Sequence, residues 1–182
     1  MLDENAIDEE LGRLRGEIEP ALNRLIPALH GDLKRLAAAQ RRRFDASLTL
    51  STTAVVNELY LKLLNASSLR VESREHFFAL AALAIRQILT DHARRVVNRK
   101  QVAVEDLEGL GFSAVDAGPL LEIDEALTQL QRINPRLVSV VNCRFFGGYS
   151  EEETATILGV SDRTVRRDWE RARAWLGAAL KA

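Results

Sequence analysis

The sequence predicts an all-α protein made of two small helical units joined by an acidic linker. Three observations carry that expectation. Apolar residues recur at spacings of three and four through most of the chain, and few segments alternate polar and apolar as a half-buried strand does. Only four prolines and ten glycines interrupt it, which leaves long helical stretches intact. Charge is also laid down in blocks: residues 1–20 carry −5, 21–100 carry +8, 101–131 carry −7 without a single base, and 132–182 carry +3. The net charge of −1 hides two basic blocks on either side of an acidic one. Such blocks are the electrostatic footprint of nucleic-acid contact. At 182 residues, 47% of them apolar, the chain suffices for one domain or two small cores.

In order, residues 1–19 are an acidic extension with helical spacing at Ile7, Leu11 and Leu14. It reads equally as a short helix or a frayed tail. The first unit spans 20–99. A helical pattern runs from Pro20 through Leu22, Leu25, Ile26, Leu29, Leu33 and Leu36, with Pro27 as a kink site, and ends at Arg41, Arg42 and Arg43. Phe44 to Leu50 connects it to a helix capped by Ser51 or Thr52, with Val55, Leu59 and Leu63 on one side and Glu58 and Lys62 four apart on the wetter one. After a polar loop from Asn65 to Glu72, Ser73 caps a third helix. Phe78, Ala81, Ala82, Ile85, Leu89 and His92 form its expected core stripe. Its other side, with Arg86, Gln87, Thr90, Asp91, Arg94, Arg95 and Asn98, reads as a cationic outer face.

The segment 100–118 reads as the linker, with a helical turn near Val104 to Leu110. The second unit spans 119–182. Leu121, Ile123, Ala126, Leu127 and Leu130 mark one helix; Asn134-Pro135 opens another, with Leu137, Val138, Val141 and Phe145 inward, and Gly147-Gly148 ends it. Ser150 and Glu153 then have the spacing of a capping box, Gly159 stands where a helix must stop, and Ser161 caps the next. That last helix carries Val165, Trp169, Ala172 and Leu176 as an inward stripe, with Asp162, Arg163, Arg166 and Arg167 on the leading face. A capped helix, a glycine turn and a helix with a basic leading end make a helix-turn-helix, whose second helix fits a major groove. The bland alternative is a helical hairpin that only packs, its arginines a solvated face. Five arginines between Arg163 and Arg173 favour DNA, since guanidinium suits phosphates and guanine edges.

No catalytic constellation is present. His30, His76 and His92 are scattered, none stands at metal-ligand spacing with Cys143, and no phosphate-cradling glycine loop occurs, so neither a catalytic activity nor a metal or other cofactor is expected. A single cysteine excludes an internal disulfide framework and fits a reducing cytoplasm. The longest apolar run, Phe77 to Ile85, is too short to span a bilayer, and the acidic start is no signal peptide, so a soluble cytoplasmic chain without membrane insertion is expected.

Three strings carry a resemblance to a known family: TTAVVNELYLKLL from Thr52 to Leu64, HFFALAALAIRQILTDHARR from His76 to Arg95, and RFFGGYSEEETATILGVSDRTVRRDWERARAWL from Arg144 to Leu176. With these the chain resembles the group-four, or extracytoplasmic-function, sigma factors of bacterial RNA polymerase, and in particular the subgroup marked by HFFALAA, DHAR, RFFGG, TVRRDW and ARAWL motifs. The resemblance covers nearly everything from Pro20 to Leu180. It implies an alternative sigma factor that binds core RNA polymerase and directs promoter recognition and transcription initiation. Residues 20–99 then look like the sigma-2 domain and 119–182 like the sigma-4 domain. Asn57, Glu58, Tyr60, Leu61 and Lys62 would dock on the clamp of the polymerase's largest subunit. Arg86, Thr90, Arg94 and Arg95, beside the Asn65–Glu72 loop, would hold the melted minus-ten element, where a flipped base needs a pocket and the strand needs cations. Asp162, Arg163 and Arg167 would face base edges of the minus-thirty-five element, with Arg166, Arg171 and Arg173 on phosphates. An anti-sigma factor or other regulatory protein is a further partner of the kind the resemblance implies.

The acidic linker would follow polymerase channels built for nucleic acid, and neutralising Glu105, Asp106 and Glu108 should weaken polymerase affinity. The acidic start would fold over a basic surface and restrain free DNA binding. Asn57 stands where the subgroup usually has His, Asn142-Cys143 replaces a more common Glu-Leu, and Val96 and Val97 thin the basic tail after Arg95. Two rivals remain: a stand-alone helix-turn-helix regulator that binds duplex DNA by itself, and an interaction module in which both basic faces are idle. Under neither does the Thr52–Leu64 helix have a task.

Overall fold

The structure is a computed structural model that describes residues 3–43, 50–106 and 118–181, and every regular element among them is helical. Four helices make the first group: α1 (Glu4–Arg13), α2 (Ile18–Arg43), α3 (Thr52–Leu64) and α4 (Arg74–Asp106). The acidic start is a helix. Asp3 caps it by accepting from the Ala6 amide, and Ile7, Leu11 and Leu14 are buried where α1 packs on α2 and α4. Its inward acid, Glu10, is held by Arg24 Nε at 2.8 Å and by Arg13. Helix α2 continues as one helix through Pro27 and lays Leu22, Leu25, Leu29 and Leu33 against α3. Burying one leucine side chain is worth roughly 1.5–3 kcal/mol, so this leucine row alone ties α2 firmly to its neighbours. Ser51 caps α3 by accepting from the Ala54 amide at 3.1 Å, and Ser73 does the same for the His76 amide at the start of α4.

Helix α4 is longer than its sequence pattern suggests. It runs to Asp106, beyond the point at which the linker was expected to begin. Glu105 and Asp106 fall at its end, and Glu108 lies outside the described residues. The stripe on its inner side also begins one residue earlier than expected: Phe77 is fully buried, whereas Phe78 is partly covered and meets Phe77 edge to face at 5.8 Å.

The second group comprises α5 (Gly118–Ile133), α6 (Pro135–Val141), a π-helix (Asn142–Gly147), α7 (Glu151–Leu158) and α8 (Asp162–Ala179). Asn134 caps α6 and Pro135 stands at its start, as their chemistry requires. The apolar run beyond Val141 does not stay α-helical. It widens into the π-helix, which closes at Gly148 with φ of 77° and a hydrogen bond donated by the Tyr149 amide to the Cys143 carbonyl. The wider turn brings Phe145 and Phe146 together, their rings 5.0 Å apart and nearly perpendicular, against α4. One apolar cluster runs through both groups, from Leu22 and Ile85 to Leu127 and Phe146.

Candidate nucleic-acid interface

The helix-turn-helix forms as its residues dictate. Ser150 accepts from the Glu153 amide at 3.1 Å and Glu153 reaches back to the Ser150 amide at 2.7 Å, closing a capping box on α7. Gly159 ends α7 with φ of 62°, a conformation that a side chain resists. Ser161 then caps α8 through the Thr164 amide. Val140, Ala155 and Val165 form a small core between α6, α7 and α8, with Leu158, Val160 and Trp169 packed on it. Because Val165 and Ala172 face inward, Asp162, Arg163, Arg166, Arg167, Arg171 and Arg173 are all exposed on α8. That is the row expected to meet DNA. Arg166 is tied back to Glu151 of α7 at 3.0 Å, an exposed ion pair that links the two helices. Beneath Arg167, the fully buried Asp168 accepts from Arg136 Nε of α6 at 2.6 Å, and the hydrogen bond and charge of Asp168 push the Arg136 pKa up. Arg167 Nε also lies 3.5 Å from Asp168.

The α4 residues sit differently. Arg94 and Arg95 are exposed, but Arg86 and Thr90 are buried, and the expected open cationic face is covered there by α5. Asp124 of α5 takes Arg86 Nη1 on one oxygen at 2.5 Å and Arg94 Nη2 on the other at 2.8 Å. Thr90 turns its hydroxyl onto the Arg86 carbonyl. Burial pulls the Arg86 pKa below its ordinary value; Asp124 opposes that shift and Arg94 adds to it. Arg94 also lies 3.7 Å from Asp91.

On α3, Asn57, Glu58, Leu61 and Lys62 share the exposed side, and Tyr60, half-buried, donates its hydroxyl to Asn23 of α2 at 2.9 Å. Leu61 is 48% exposed, an apolar side chain left in water amid polar neighbours, which suits a protein partner better than nucleic acid. The α3 and α4 faces adjoin, since Glu58, Leu61 and Lys62 line one cleft with Asp91 and Arg95, and Lys62 also borders the cleft of Arg86, Thr90 and Arg94; α8 carries its own row near the end of the chain.

Comparison with protein-family models matches residues 14–182 to the ECF sigma factor family. The chain belongs to the ECF sigma factor family. No curated protein and no solved structure matches it. As an ECF sigma factor it is an alternative sigma factor directing transcription initiation. No described helix is long and apolar enough to cross a membrane, and the described residues hold no cluster able to bind a metal.

Two carboxylates of this sigma factor escaped the sequence reading. Asp124 stands four residues after Leu120 and three before Leu127, on the buried stripe of α5. An acid on an apolar stripe is a readable signal, because it is tolerated there only with a cationic partner. Asp168 gives the same signal between Val165 and Ala172. Tyr149 had no such mark; its hydroxyl reaches the Glu75 carbonyl of α4 at 3.0 Å only because the π-helix turns the chain toward it.

Proposed function

We propose that this sigma factor divides its work among three helices. The exposed side of α3, with Asn57, Glu58, Leu61 and Lys62 beside Tyr60, docks on the clamp of the largest subunit of core RNA polymerase. The α4 face of Arg86, Thr90, Arg94 and Arg95 holds the melted minus-ten element. Helix α8 reads the minus-thirty-five element, with Asp162, Arg163 and Arg167 at base edges and Arg166, Arg171 and Arg173 on phosphates. Residues 20–99 act as a sigma-2 domain and 119–182 as a sigma-4 domain, with the acidic stretch between them following a cationic path in the polymerase. The chain works in the cytoplasm, without catalysis of its own, and an anti-sigma factor or similar protein restrains it.

The observation that carries this reading is the α8 geometry within a family match that spans both units: a fully capped helix-turn-helix presents all six expected side chains to solvent while Val165 and Ala172 anchor the helix from below. Arginine at the leading end of a groove-entering helix is the commonest guanine reader, and a bidentate contact is worth about 1–3 kcal/mol of discrimination. Transcription by sigma-free bacterial core polymerase on fragments of the source genome tests it. Discrete start sites that require this protein, and that vanish with Arg163→Ala or Arg167→Ala, are expected. Tight duplex binding by the protein alone, with no transcript and no co-elution with core polymerase, would instead make it a stand-alone regulator.

A further inference from the structure

We propose that α5 is a built-in blocker of the α4 strand-binding face, with Asp124 occupying the two arginines that a nucleic-acid phosphate would otherwise take. This rests on the reading of α4 as the face for the melted strand. A side chain that must touch DNA cannot do so from the burial that Arg86 and Thr90 have, at 7% and 1% exposure, so α5 has to leave before the strand arrives.

The geometry is that of an anion site already filled. Two guanidinium groups, about two turns apart on α4, converge on the two oxygens of a single carboxylate. Arginine grips a phosphate through two oxygens in the same manner, so strand and Asp124 compete for one set of donors. Opening therefore exchanges one anion for another and strands no charge. The ion pair gives little net adhesion, since both charges regain water when it parts. The neighbouring π-helix, rather than α5 itself, supplies further hold on α2 and α4: Phe146 is buried with Arg86 5.4 Å above its ring, Arg43 lies 4.6 Å over Phe145, and Gln40 Nε2 donates to the Phe146 carbonyl at 3.3 Å. The closed state is also imperfectly satisfied. Buried Arg86 Nε has no hydrogen-bond acceptor among the described residues, and Arg94 remains 52% exposed at the edge of the cleft. A contact set of this kind is specific without being permanent. The acid that covers the arginines is thus in α5, whereas the N-terminal acid Glu10 is spent on Arg13 and Arg24.

The test uses the full chain and a fluorescein-labelled single-stranded DNA oligonucleotide without polymerase, read by anisotropy at low salt. Asp124→Asn is expected to bind about tenfold more tightly than wild type, the scale of one recovered charge-assisted contact, and Arg94→Ala added to it should remove the gain. An Asp124→Asn protein that is folded by circular dichroism and binds no more tightly overturns the proposal. A second arm does not depend on that substitution folding well. Gln87→Cys and Thr128→Cys, which line the same cleft, are joined by a disulfide-containing bismaleimide, with buried Cys143 left in place. Linked protein should bind the oligonucleotide more weakly than unlinked, with recovery when the linker is reduced; equal binding in both forms overturns the proposal. If core-dependent transcription succeeds while both arms show no effect, only the blocker fails. If transcription itself fails, the reading beneath it falls.

Discussion

Asp168 is the driest carboxylate among the described residues, fully buried beneath the exposed arginines of α8. A buried charge is tolerated only when paired, and its closest donor is Arg136, half-exposed on α6. Arg136→Ala removes that donor and leaves the carboxylate in a dry site, so the midpoint of thermal unfolding should fall by clearly more than with Arg171→Ala, whose side chain stands free in solvent on α8. Equal midpoints for the two variants would show that Asp168 needs no partner. Cys143 makes a different prediction. Burial pushes its thiol from 9.0 up to about 11, so the folded protein keeps this proton to a higher pH than the unfolded chain does. The associated stability is complete below about pH 9 and is lost as the pH rises toward about 11, on the order of 2 kcal/mol over the interval. Tyr149, pushed up chiefly by burial, adds a loss that begins above about pH 10, where the unfolded tyrosine ionises. Urea melts from pH 8 to 11 should show the decline, and Cys143→Ala should flatten it; an unchanged slope in that variant would place the cause elsewhere.

The elements show which parts of the sequence speak plainly. Capping is local chemistry, so the Ser150–Glu153 box, the Asn134-Pro135 start of α6 and the Gly159 stop are all found where the residues announce them. Gly159→Ala tests the last of these. Space is not the obstacle, since a Cβ there would meet nothing within 4 Å; the cost is the left-handed backbone at φ of 62°. About 1–2 kcal/mol of stability should be lost in chemical denaturation, and a neutral effect would mean that the turn relaxes into another conformation. The π-helix was not legible. Its apolar spacing from Leu137 to Phe145 is that of any buried helix, and its contact with α4 is tertiary, to which local periodicity is blind. Partition of α4 into a greasy and a cationic side holds at Asp91, Arg94, Arg95 and Asn98 but fails at Arg86 and Thr90, for a related reason. The periodicity marks residues that face a helix neighbour, but it cannot tell solvent from a second neighbour, and Arg86 and Thr90 face α5.

Over the whole molecule, the charge blocks visible in the sequence acquire a spatial meaning. The acidic block between the two basic ones covers both the linker and the first helix of the second unit; in space that helix, α5, returns to the first basic block and neutralises two of its arginines. The six α8 side chains stay in solvent, so the face expected to read duplex DNA is open while the face expected to hold a melted strand is partly covered, at Arg86 and Thr90. That order suits a protein which finds a promoter before opening it. On this reading α3 serves the polymerase and α8 the promoter. The most direct measurement is the affinity of full-length protein for sigma-free core polymerase, alongside promoter-dependent transcript yield, for Leu61→Ser and for Arg163→Ala/Arg167→Ala. Leu61→Ser should weaken polymerase binding and lower transcript with it, whereas the α8 variant should keep polymerase affinity and lose the transcript. Full polymerase affinity with Leu61→Ser, or polymerase affinity lost with the α8 variant, would contradict that reading.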